Sequence, residues 1–200
     1  MRRWTREWRA IACPGVGDPG SAPGDTNGGA GGETPRLASS SYPLWQVQAF
    51  DAAWLDALQH LTTNYQCEQF FAGGGENPMA LLEKTTYRFL DLGAPTVGAD
   101  GTASVAGAMT VDPTDVFINT SGPLFDQSVF VPSTQQFVYF SIGGLSGADF
   151  GALLLLHELG HQEGLFGPDT GPNVPAGTNA QYTQQVLDNC FTSLGGGLYK

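Results

Sequence analysis

The chain predicts an α+β fold. Three observations predict it: apolar residues recur at three- and four-residue spacing in long stretches near both ends of the folded part; short β-branched and aromatic runs cluster between those stretches; and the runs do not alternate with helices as a parallel α/β sheet requires. Two hundred residues with 41% apolar content suit one globular domain with a real core.

Taken in order, residues 1–40 read as a disordered or low-complexity segment. Pro14 to Gly32 is dominated by Gly, Pro, Ala, Ser, Asp and Asn, which bury too little apolar surface to offset the entropy of ordering. Arg2, Arg3, Arg6 and Arg9 stand beside Trp4 and Trp8, without the continuous apolar run of a signal peptide. The folded domain is expected over 41–200. Phe50, Ala53, Trp54, Ala57, Leu58 and Leu61 mark an amphipathic helix over 45–66, and His60 lies on it without a partner at ligand spacing. After three glycines, Asn77 caps a short helix that runs to Lys84, with Pro78 in its first turn. Strands are expected over 85–92, 103–111, 115–119 and 136–142, bounded by Gly, Pro and Asp. Helices follow over 146–163 and 179–194, and no internal repeat is visible.

Charge narrows the partners. From Ser41 onward the basic residues are Lys84, Arg88 and Lys200 against fifteen Asp and Glu, a balance of −12. Such a surface repels phosphate backbones, so no nucleic-acid partner is expected. No segment is long and apolar enough to be expected to span a bilayer. Acidity with scarce lysine and abundant Gly, Thr, Ser and Asn suggests a secreted or extracytoplasmic protein. The cysteines, Cys13, Cys67 and Cys190, show no C-x-x-C spacing; Cys67 and Cys190 either form a disulfide that closes a long loop or remain buried thiols.

One stretch carries chemistry: Leu153-Leu154-Leu155-Leu156-His157-Glu158-Leu159-Gly160-His161-Gln162-Glu163-Gly164. On a helix, His157 and His161 share a face, since four residues advance the axis by about 6 Å and turn about 40° beyond one full turn. Two imidazoles so placed can meet one tetrahedral zinc ion, Zn2+. Glu158 lies about 100° away, off the ligand face but placed to hold a water beside the metal. The apolar residues before His157 make this a core helix, where an unpartnered histidine pair would be costly.

These residues form the H-E-x-x-H pattern, and the segment resembles the active-site helix of zincin metallopeptidases. Gly164 extends the likeness to the metzincin pattern H-E-x-x-H-x-x-G-x-x-H/D. The match covers about a dozen residues of the 200. The resemblance implies His157 and His161 as zinc ligands, Glu158 as general base, and a peptide or protein as substrate. It also implies a zincin-like architecture, with a twisted sheet packed on the active-site helix, a C-terminal helix across the cleft, and a strand edge that takes an extended peptide.

The chain departs from the pattern at the third ligand. That position falls on Gly167, which has no side chain, and no methionine follows His161 to form a methionine turn. No glutamate follows Glu163, so the remaining carboxylates are Asp169 and Asp188. Asp169 is the expected ligand because the nearest competent donor costs least loop entropy; Asp188 is the alternative. The stretch from Gly177 to Tyr182 distantly resembles the aspzincin signature, with Ala180 where that family's ligand aspartate belongs, and Tyr182 is a candidate donor to a developing oxyanion. The expected function is zinc-dependent hydrolysis of peptide bonds. The alternative is a non-catalytic zinc-binding or degenerate zincin domain that recognises a partner.

Overall fold

In the computed structural model, which describes residues 35–93, 96–97, 103–104, 107–131, 136–140, 142–169 and 173–191, the first apolar stripe winds into α1 (Leu44–Thr63). Phe50, Ala53, Trp54, Ala57, Leu58 and Leu61 are all buried, as the periodicity predicts. The helix does not continue to residue 66. Asn64 adopts an extended conformation, and its side chain accepts the amides of Gln66 and Cys67, which caps a separate helix, α2 (Tyr65–Phe71). The break has a local cause: an asparagine side chain competes with the helix for backbone amides, and it follows two threonines whose hydroxyls bond back to Leu58 and Gln59 carbonyls. Asn77 does cap α3 (Pro78–Lys84), accepting from the amides of Met79 and Ala80, with Pro78 in the first turn.

The strands are β1 (Arg36–Leu37), β2 (Thr86–Leu90), β3 (Thr96–Val97), β4 (Ala103–Ser104), β5 (Ala108–Asp112), β6 (Asp115–Asn119), β7 (Ser128–Val131) and β8 (Gln136–Tyr139). Four of them form an open sheet in the order β1-β2-β6-β5, with β1, β2 and β6 parallel and β5 antiparallel to β6 at one edge. Two small hairpins, β3–β4 and β7–β8, complete the described β structure. The helices and strands make a mixed, α+β protein.

Several expectations shift here. The predicted strand over 103–111 is two strands with different partners, β4 against β3 and β5 against β6. Strand β7 has no counterpart among the predicted elements, and β8 ends at Tyr139 rather than at 142. Arg36 and Leu37 lie inside the segment read as loose over 1–40, yet they pair with Thr86 and Tyr87. Residues 1–34 lie outside the described residues.

The core lies between the sheet and two helices. On β2 and β6, Tyr87, Phe89, Val116 and Ile118 turn inward, and Phe50 of α1 meets the rings of Tyr87 and Phe89 at 4.8 and 5.4 Å. Helix α4 (Gly147–Gln162) crosses α1 closely: a Cβ on Gly151 would lie 2.5 Å from that of Ala53. The last helix, α5 (Thr178–Val186), passes into a π-helical turn over Leu187–Phe191, and the predicted extension to 194 lies outside the described residues. Cys67 and Cys190, 123 residues apart, form a disulfide between the start of α2 and that turn. Asn64 adds a hydrogen bond from its side-chain amide to the Cys190 carbonyl, at 2.8 Å. Among the described residues no helix is long and apolar enough to cross a membrane.

Candidate metal centre

Helix α4 is buried on most of its surface, with Leu153, Leu155, Leu156 and Leu159 in the core. Packing on that scale fixes the helix in rotation and leaves His157 and His161 on the side that faces α5 and the following loop. Their Nε2 atoms are 3.2 Å apart. The chain then reverses at Gly164, whose φ of +71° suits glycine, while the amides of Leu165 and Phe166 both return to the Gly160 carbonyl. Gly160 is needed for this turn. A Cβ there would sit 2.2 Å from the Phe166 ring, which fills the space a side chain would take. The reversal carries Asp169 back over the helix, with Oδ2 at 3.2 Å from His157 Nε2 and 3.4 Å from His161 Nε2.

Three donor atoms therefore form a nearly equilateral triangle. A tetrahedral zinc ion, with nitrogen and oxygen ligands at about 2.0–2.1 Å, spaces its donors about 3.3 Å apart, so the triangle fits that ion. The hydrogen bonds on the far side of each ring sharpen the point. His157 Nδ1 lies 3.1 Å from the Thr183 hydroxyl, and that hydroxyl donates its proton to the Asn179 carbonyl at 3.0 Å. With its proton so placed, the hydroxyl accepts from His157 Nδ1–H, the tautomer that presents the Nε2 lone pair to the triangle. His161 has a second hydrogen bond, to the backbone of Phe166. Three metal-competent atoms thus face one another at 3.2–3.4 Å, an arrangement that a proton or a metal cation relieves.

The electrostatics agree. Burial alone would raise the carboxyl pKa of Asp169, but hydrogen bonds with His157, His161 and Asn179 outweigh it and hold the group far below the usual carboxylate range. Burial opposes a proton on His161, yet the Asp169 hydrogen bond, the charges of Glu158 and Asp169 and the Phe166 backbone together raise its pKa. The site attracts positive charge, as proton or as metal.

Glu158 is buried, and its Oε2 accepts a hydrogen bond from the Thr110 hydroxyl of β5 at 2.8 Å. It thus lies outside the donor triangle, at the junction of α4 with the edge strand. Tyr182 stacks on Phe166, with ring centroids 4.5 Å apart and planes within 5°, and its ring flanks both histidines. Its hydroxyl lies by the Gly167 backbone. Asp188 is exposed on the outer side of the C-terminal helix, where it accepts from Gln184, and does not join the triangle. His60 is also elsewhere, buried between Asp56 and the Phe191 ring.

Three residues that touch this centre carry no signal in the ligand motif: Thr110, Asn179 and Thr183. Asn179 donates to Asp169 Oδ2 at 2.6 Å, and Thr183 lies one helical turn beyond it. A polar pair four residues apart on the next helix was the available clue. The chain matches no protein-family model, and no curated protein or solved structure is significantly similar to it.

Proposed function

We propose that the chain is a zinc-dependent metallopeptidase with a zincin-like site, in which His157, His161 and Asp169 hold the ion and Glu158 is the general base. The observation that carries this reading is the convergence of three metal-competent donor atoms beside a buried carboxylate that is not one of them. A closed structural zinc site would present four protein ligands and would have no use for such a carboxylate. Bound zinc supplies Lewis acidity towards water and towards a carbonyl oxygen.

The protein's own groups divide the remaining work. The Thr110 hydroxyl lies 2.8 Å from Glu158 Oε2 and 3.2 Å from the Glu158 carbonyl, which ties the general base to β5. Glu158 takes a proton from the attacking water and delivers it to the leaving amine. Among the described residues β5 pairs only with β6, and its other edge, beside Glu158 through Thr110, is where this reading places an extended peptide substrate. The Cys67–Cys190 disulfide favours a secreted or extracytoplasmic setting for this activity.

The test is Glu158→Ala in the zinc-loaded protein, assayed on a denatured protein substrate. We expect one zinc per chain retained and hydrolysis reduced by about 100-fold or more, the scale of a lost general base. Wild-type protein that holds one zinc and hydrolyses nothing would instead favour the non-catalytic alternative.

A further inference from the structure

Asn179 and Thr183 lie one turn apart at the start of α5, and between them they reach two of the three donor groups. The Asn179 amide donates to Asp169 Oδ2 at 2.6 Å; its carbonyl takes the Thr183 hydroxyl proton at 3.0 Å; and the Thr183 oxygen lies 3.1 Å from His157 Nδ1. A helical threonine often bonds back to the carbonyl four residues before it, so that bond alone says little. Here it has a consequence, because a hydroxyl has one proton. Once that proton is given to Asn179, Thr183 can only accept from His157, and it is itself buried, so water does not compete for the ring. His157 is then confined to the tautomer with hydrogen on Nδ1 and a lone pair on Nε2.

We propose that Asn179 and Thr183 form a two-residue positioning device, in which Thr183 sets the tautomer of His157 and Asn179 aims the Asp169 carboxylate, so that α5 pre-arranges the donor set made by α4 and its loop. The proposal rests on the reading of this triangle as a zinc site. It extends that reading from the donors to the residues that orient them, which in metal sites commonly govern affinity by 10–100-fold.

The experiment measures zinc affinity by competition with a chelator for the full chain and for Thr183→Val, Thr183→Ser and Asn179→Ala. It also follows the ring-nitrogen chemical shifts of His157 in the metal-free protein, at a pH where the ring is neutral. Valine matches threonine in shape and removes the acceptor, so T183V should lose about 10–100-fold in affinity with the fold intact. Serine keeps the hydroxyl and should stay within about three-fold of wild type, and N179A should fall by about ten-fold. Wild-type shifts should report Nδ1–H, and T183V should show the other tautomer. Equal affinity in T183V and wild type, or equal losses in T183S and T183V, would overturn the proposal. If the wild type takes up no zinc, the metal reading fails, and the His157 shifts still decide whether Thr183 sets the tautomer.

Discussion

His157, His161 and Asp169 depend on one another because each donor atom lies 3.2–3.4 Å from the other two. Removing either histidine leaves two protein donors, so His157→Ala or His161→Ala should leave no zinc after dialysis against a mild chelator. Asp169→Ala should weaken zinc by about ten-fold or more, on the order of 1.4 kcal/mol, while Asp188→Ala changes it little. Protons compete for the same place. The raised pKa of His161 means that its contribution to the metal-free fold is fully present below the unfolded value of 6.5 and is lost as pH rises through the folded one. The lowered pKa of Asp169 gives the opposite sign: its contribution is present above 3.8 and lost as pH falls through the folded value. Thermal melts of chelated protein should therefore show this contribution greatest between those limits and declining on the alkaline side. Saturating zinc should remove the alkaline decline, and identical profiles with and without zinc would count against a shared site. At this scale the histidine pair was legible in the sequence, because helical spacing alone sets the relation of residues four apart. Thr183 and Thr110 were not, since a hydroxyl 26 or 48 residues from its partner is brought there only by the fold.

Elements hold these residues through close approaches that small side chains permit. Gly160→Ala would force the Phe166 ring off α4, and Phe166 is clamped from the other side by Tyr182. We expect a stability loss of about 1–3 kcal/mol from overpacking, partly offset by alanine's better helix propensity, and weaker zinc binding because Asp169 follows in the same loop. A G160A protein with wild-type zinc affinity would show that the loop is not set by this contact. Asn64→Ala should cost about 1–2 kcal/mol in chemical denaturation, since it removes the α2 cap. Helices with long apolar stripes and the Asn-Pro cap of α3 were readable from the sequence. The α1–α2 break was not, because the apolar marks stop at Leu61 and only the capping geometry of Asn64 separates the two helices. Strand β7 escaped for a related reason: Ser128–Val131 is four residues long, and its pairing with β8 is what makes it a strand.

For the whole molecule, the disulfide and the hydrogen bonds of Asn179 and Thr183 to the donor triangle tie the C-terminal helix and its following turn to the rest. Reduction of Cys67–Cys190 frees a loop of 123 residues and should lower stability by about 2–5 kcal/mol, measured as a drop in thermal midpoint with reductant. Sequence alone left this pair open between disulfide and thiols, because pairing depends on how α2 meets the turn after α5. The α+β class was legible, since the strand runs fall between the long helices; the sheet order was not, because β2 takes β1 on one side and β6 on the other, both distant from it in sequence. The proposed function requires that this fold assemble one zinc site from His157, His161 and Asp169. Anomalous diffraction from crystals of zinc-loaded protein, collected at the zinc absorption edge, tests it most directly. A single strong peak is expected within about 2.0–2.2 Å of His157 Nε2, His161 Nε2 and Asp169 Oδ2. A peak elsewhere, or none between these three atoms, would contradict it.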